Sequence, residues 1–264
     1  MIKNFLANGC SFTEYIDHPA GITKTWATYL SEHMDIPNHI NLASSGAGND
    51  YICHSTINYL EQHRLDPQET LVIVMWSGTG RMDLPMNQEW YEHIKFGEYS
   101  VCKTDGIGHW INSGGQTGSW MNHNITRAIF DNVYKITDAA DHCLKSLRYF
   151  VMLEAYLKIR GYKFLFTSFI NYWQTEHPSY QSSSPLPGGF LRASSEPNIG
   201  YHCRDYAVWQ NFDFTNWFFV NDRRDTICEY AHRQDPRGDI HPSDKMHKKF
   251  ALEIVAPCVQ QIHV

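Results

Sequence analysis

Two periods alternate in the pattern of apolar and polar positions along the 264-residue chain. Short runs of mostly apolar positions stand at 2–7 ("IKNFLA"), 39–43 ("HINLA"), 70–76 ("TLVIVMW") and 162–169 ("YKFLFTSF"). The last two are nearly unbroken, as expected of parallel strands covered on both faces. Elsewhere apolar residues return every three or four positions, the helical period. Trp26, Tyr29, Leu30 and His33 mark one helix, and 51–63 a second that ends at "LDP". A long third helix is expected over about 136–160, with Ala140, Leu144, Leu147, Val151 and Ala155 on one stripe and Gly161 as its stop. A fourth is expected over about 243–259, burying Met246, Phe250 and Ile254, with Pro257 near its end.

Strands alternating with helices predict an α/β fold, a three-layer α/β/α sandwich around a parallel sheet. Right-handed crossovers then bring the strand ends, and any site built on them, to one edge. Residues 84–128 and 171–221 break the pattern and are rich in Gly, Ser, Asn and aromatics. They are expected to be aromatic-rich insertions in one domain spanning 1–264, because long segments of this kind are usually functional or form small subdomains. Within the second, "NWFFV" (216–220) reads as a buried fifth strand.

Composition narrows the classes. Net charge is −6 with no basic stripe, which argues against a nucleic-acid partner. The seven cysteines are scattered without a C-x-x-C pair, the pattern of reduced thiols in a reducing compartment. No apolar run approaches the ~20 residues of a membrane span, so no membrane partner is expected. The apolar stretch before Asn8 is too short for a signal-peptide core. The expected location is cytoplasmic.

The candidate chemistry starts at "NGCSFTEY" (8–15), where a strand ends. Gly9 permits a sharp turn, and Ser11 falls at the start of a helical turn, in the field of exposed N–H groups. That field suits a nucleophile and an oxyanion. The pattern is G-x-S-x-T, not the G-x-S-x-G of the α/β-hydrolase elbow. Cys10 beside it reads as packing, and Ser11 as either the cap of the turn or a nucleophile. Near the other end, "GDIHPSDKMH" (238–247) sets His241 directly before Pro242, which holds it extended. Asp239 stands two residues earlier and so points the same way in an extended chain. An acid so placed can orient the imidazole and stabilise its charged form. A third block, "NLASSGAGND" (41–50), follows a strand and precedes a helix. Gly46 and Gly48 let backbone N–H groups face a ligand, and Asn49 offers a side-chain donor.

In this order the three blocks resemble the SGNH (GDSL-type) hydrolase family. The resemblance implies a flavodoxin-like parallel sheet and ester hydrolysis without metal or organic cofactor. It implies Ser11 as nucleophile, Gly46 as a backbone oxyanion donor, His241 as base and Asp239 as its partner. Two departures stand out. The family's G-x-N-D after the third strand is here "WSGTGRMD" (76–83), with Thr79 in place of the asparagine. Thr79, Arg81 and Asn49 are the candidate substitutes, and Arg81 would bring a full charge suited to an anionic substrate. The family acid most often lies three residues before the histidine, where this chain has Gly238; Asp235 or a backbone carbonyl is the fallback.

Among fifteen histidines no spacing matches a zinc site. Trp90, Tyr91, Trp110, Trp120, Tyr172, Trp173, Tyr180 and Tyr201 crowd the two insertions. They are suited to stack on sugar rings or to build a subdomain core. The expected function is a serine esterase acting on a small-molecule or carbohydrate ester, such as an acyl or acetyl group on a sugar. The rivals are an acyltransferase on the same site and a carbohydrate-binding or structural module with a decayed site.

Overall fold

The computed structural model describes residues 1–14, 24–94, 102–104, 109–113, 124–175, 197–235 and 241–262. Strands β1 (Asn4–Asn8), β2 (Asn38–Asn41), β3 (Thr70–Trp76) and β7 (Lys163–Ser168) form a parallel sheet in the order β2-β1-β3-β7. Every residue of β3 is buried, as its unbroken apolar run requires. Helices α1 (Trp26–His33) and α2 (Asn49–His63) connect the first three strands. The path β1-α1-β2 runs one way across the sheet and β2-α2-β3 runs back. Right-handed crossovers therefore place α1 and α2 on opposite faces.

The long helix α5 (Ala139–Arg160) packs beside α2, and α9 (Asp244–Phe250) packs beside α1 and α8 (Ile227–Gln234). The result is an α/β/α sandwich, as the alternation of periods predicts. Trp76, at the end of β3, locks the α5 face, with its ring 4.5 Å from Phe150 and 5.4 Å from Phe166.

Local signals account for the helix ends. Asp138 and Asp141 form a reciprocal capping box at the start of α5, and Gly161, at φ 77°, ends it. That box separates α5 from α4 (Asn124–Ile136), so the expected single helix begins three residues later than its pattern suggests. The last helix continues beyond the expected 259. A π-helical turn, Ala251–Val255, joins α9 to α10 (Ala256–Ile262), and the Ala256 N–H donates to the Ala251 carbonyl five residues back. This widened turn lies directly before Pro257, which has no N–H to donate.

The first insertion carries a small antiparallel sheet in the order β4-β6-β5, from β4 (Asp83–Met86), β5 (Cys102–Thr104) and β6 (His109–Asn112), beside α3 (Gln88–Ile94). Among its described residues the second holds two single-turn helices, α6 (Ile199–His202) and α7 (Ala207–Gln210). "NWFFV" makes one parallel bridge rather than a strand. Phe166 N–H donates to the Asn216 carbonyl (2.8 Å), and Phe218 N–H donates to the Phe166 carbonyl (2.9 Å). The chain then turns away through a Val220 N–H bond to the Asp225 carbonyl, 2.8 Å. No helix among the described residues is long and apolar enough to cross a membrane.

Candidate active site

Flavodoxin-like sheets bind ligands outside the carboxyl ends of β1 and β3, where the strand order reverses. Ser11 lies at the end of β1. The Cys10 carbonyl accepts from the N–H groups of Thr13 (2.9 Å) and Glu14 (3.0 Å), which makes Ser11 and Phe12 the first residues of one helical turn. The Ser11 N–H has no acceptor among the described residues. A Cβ on Gly9 would stand 2.5 Å from Thr13 Oγ1 and 2.9 Å from the Met75 carbonyl, so only glycine closes this turn onto β3. Asn8, fully buried, ties the strand end to α2. Its Nδ2 donates to Ile52 O (3.0 Å), Ser55 Oγ (2.9 Å) and Thr56 Oγ1 (2.9 Å). Cys10 is completely buried behind the turn.

His241 arrives from the far end of the chain. Its Nε2 lies 2.9 Å from Ser11 Oγ. Its ring stacks on Phe12, with centroids 4.9 Å apart and planes inclined by 27°. Phe12 packs in turn on Phe169 at 4.9 Å. The following helix anchors the imidazole. Asp244 accepts from Lys24 N–H (3.0 Å) and from the Tyr29 hydroxyl (2.7 Å), which fastens α9 to α1. His247, one turn along, is buried and accepts from Trp26 N–H at Nδ1, 3.3 Å. Burial, reinforced by the neighbouring His241, lowers its pKa to about 3 and keeps it neutral. Asp239 lies outside the described residues. Asp235 accepts a hydrogen bond from the Ser243 hydroxyl, 3.3 Å.

The loop after β2 is bonded directly to the serine turn. Ser44 N–H donates to the Gly9 carbonyl (3.1 Å), Ser45 N–H donates to Glu14 Oε2 (2.6 Å) and Asn41 Nδ2 donates to the Thr13 carbonyl (2.7 Å). Gly46 has φ 77°, a left-handed conformation that favours glycine. Its N–H has no acceptor among the described residues.

Two of the proposed donors are held by the framework. Asn49 Nδ2 donates to Ser77 O (3.2 Å) and Ser146 Oγ (3.1 Å), while its Oδ1 accepts from Ser77 N–H (2.8 Å). Thr79, also buried, donates its hydroxyl to the Pro197 carbonyl at 2.5 Å. Both side chains thus stitch α2, α5 and the second insertion to the end of β3. Arg81 is placed differently. Its Nη1 donates to the Ala47 carbonyl (3.3 Å), and its guanidinium lies over the Phe169 ring, 5.1 Å from the centroid.

Several contributors were not legible beforehand. Phe12 and Phe169 brace His241, and Glu14 holds the Gly46 loop. Asp83, buried, accepts from the Gly48 N–H (2.8 Å) and the Tyr51 N–H (2.9 Å), which fixes the start of α2. Burial raises its pKa to about 6 despite those two donors. Of the aromatics suited either to stack on sugars or to build a subdomain core, Trp110, Tyr172 and Trp173 are buried, and Trp120 and Tyr180 lie outside the described residues. Trp173 packs against Trp209, Phe212 and Trp217, centroids 6.1, 5.6 and 4.7 Å away. Among the described residues no cluster of three His, Cys, Asp or Glu could hold a metal ion.

A family model described as a family of unknown function, DUF6071, matches residues 14–180. The chain belongs to this family. The DUF6071 match takes in Gly46, Asn49, Thr79 and Arg81 and stops short of both Ser11 and His241. No curated protein matches the chain. Among solved structures, the chain is similar to a "putative acylhydrolase" from Bacteroides fragilis NCTC 9343. The two are 10% identical over 99% of this chain and 86% of that one, with a TM-score of 0.43.

Proposed function

We propose that the chain is a serine esterase with Ser11 as nucleophile and His241 as general base. The observation that carries this reading is the 2.9 Å approach of His241 Nε2 to Ser11 Oγ at the carboxyl edge of the sheet. In the Nδ1–H tautomer, Nε2 accepts the hydroxyl proton as Oγ attacks the ester carbonyl. The negative charge that develops on the carbonyl oxygen faces the N–H groups of Ser11 and Gly46. The imidazolium returns its proton to the departing alcohol. Water, deprotonated by the same histidine, then releases the acid and restores Ser11. Asp239 is assigned the orienting role at His241 Nδ1, in keeping with the resemblance to SGNH hydrolases.

Hydrolysis of p-nitrophenyl acetate by the parent, Ser11→Ala and His241→Ala tests this reading, together with labelling by a fluorophosphonate probe. Loss of turnover in both variants and labelling confined to Ser11 are expected. Variants that match the parent, or a parent that neither turns over nor labels, would sink it.

A further inference from the structure

We propose that Arg81 binds an anionic group of the substrate, so that the ester cleaved carries a carboxylate or phosphate within a few bonds of the scissile carbonyl. This rests on the esterase reading of the Ser11–His241 site.

The guanidinium has five N–H donors. Among the described residues it forms one hydrogen bond, from Nη1 to the Ala47 carbonyl at 3.3 Å. Nε is buried and has no hydrogen-bond partner among the described residues. No carboxylate pairs with Arg81 among the described residues. The acids near the site are engaged elsewhere: Glu14 with Ser45 N–H, Asp83 with the start of α2, and Glu229 with Thr226 and the Asn171 N–H. A buried donor left without an acceptor is unfavourable. A planar cation kept in that state suits an acceptor that arrives with the substrate, and its fork matches carboxylate or phosphate with two parallel bonds.

Position supports the same assignment. Ala47 follows Gly46, whose N–H is an oxyanion donor in the proposed site. Phe169, under the guanidinium, packs on Phe12, which stacks on His241. Arg81 therefore spans the loops after β2 and β7, on either side of the serine turn. The transient oxyanion already has backbone donors there. A permanent charge on the substrate matches a cation that has no carboxylate partner among the described residues.

The test compares the parent with Arg81→Gln and Arg81→Lys on three substrates. These are p-nitrophenyl acetate, p-nitrophenyl hemisuccinate (charge on the acyl part) and 4-acetoxybenzoate (charge on the alcohol part). Calorimetric binding of succinate is measured alongside, and melting curves confirm that the variants fold. The parent is expected to favour one charged ester. Arg81→Gln is expected to lower kcat/KM for that ester roughly 10–100-fold more than for the neutral ester. Arg81→Lys is expected to fall between the two. Succinate binding should weaken in parallel. An equal loss on all three esters, no preference for charge, or succinate binding that is absent or insensitive to Arg81→Gln overturns the proposal. The binding arm does not depend on turnover. Succinate binding lost in Arg81→Gln, in a protein that hydrolyses no ester, would keep the anion site and sink only the esterase reading.

Discussion

Phe12 lies against His241, with ring centroids 4.9 Å apart, one residue after the serine whose hydroxyl the same imidazole meets. Nucleophile and brace are thus consecutive residues of one turn. Removing the ring leaves His241 free to swing without touching any reacting atom. Phe12→Leu is expected to lower kcat roughly 10–100-fold with little change in KM, the signature of lost positioning. Phe12→Tyr keeps the stack and should retain most activity. Steady-state kinetics on p-nitrophenyl acetate check this, and a Phe12→Leu enzyme with parental kcat would contradict it.

Glu14 ties the Gly46 loop to the serine turn through the Ser45 N–H at 2.6 Å. Glu14→Ala releases that loop and with it the Gly46 N–H. A fall in kcat of about 10-fold or more is expected, smaller than the ~10²–10³ for outright loss of an oxyanion donor. Glu14→Gln preserves an acceptor and should stay within about threefold of the parent on the same hydrolysis assay.

Gly9 tests the turn itself. An added Cβ would stand 2.9 Å from the Met75 carbonyl, and backbone atoms yield poorly. Gly9→Ala is expected to cost about 2–3 kcal/mol, the scale of overpacking in a tight interior. Urea unfolding measures it, and a loss below ~0.5 kcal/mol, the scatter of neutral surface changes, would show the turn to be slack.

Two buried groups set opposing pH dependences. His247 has its pKa lowered from 6.5 to about 3, so its contribution is present above pH 6.5 and is lost as pH falls toward 3. Asp83 has its pKa raised from 3.8 to about 6, so its contribution is full below pH 3.8 and is lost as pH rises through 6. Buried Glu229 is shifted upward as well and acts in the same sense as Asp83. Between pH 6 and 4 the two senses oppose each other. In His247→Gln, which keeps an acceptor for the Trp26 N–H, the His247 contribution is absent, while His39 and His142, also lowered by burial, still act in its sense. Relative to the parent, that variant should fare better on acidification from pH 6 to 4, by an amount on the order of 1–3 kcal/mol. Chemical denaturation across this range decides it: equal slopes in parent and variant would remove His247 from the account.

The parts of the molecule readable in sequence were those whose cause is local. The unbroken run at 70–76 is a strand buried along its whole length, and Gly161 stops α5 at the position its residue type implies. Gly9 and Pro242 mark turns because turn geometry is written in neighbouring residues, whereas the local signals at Ser11 and His241 are also those of an ordinary capped turn and loop. Partners far away in the chain are not written that way. Asn49 has the residue type of an oxyanion donor, but Ser146, which occupies its amide, lies 97 positions on. The strands of the small sheet have three or four residues, too few for alternation to show. Trp173 and Tyr172 are as apt for a binding platform as for a core. Only the closure of Trp209, Phe212 and Trp217 over Trp173 decides between these roles.

The contact between Ser11 and His241 closes a loop of 230 residues. During synthesis the serine emerges first, and its base emerges only after the whole sheet and both insertions. The pair is therefore one of the last features to be completed. Long-range closures of this kind form late and slowly. A fluorophosphonate that labels only the finished pair would act as a clock for folding. It would stay silent on a chain whose sheet has formed and register when the final helix docks against α1.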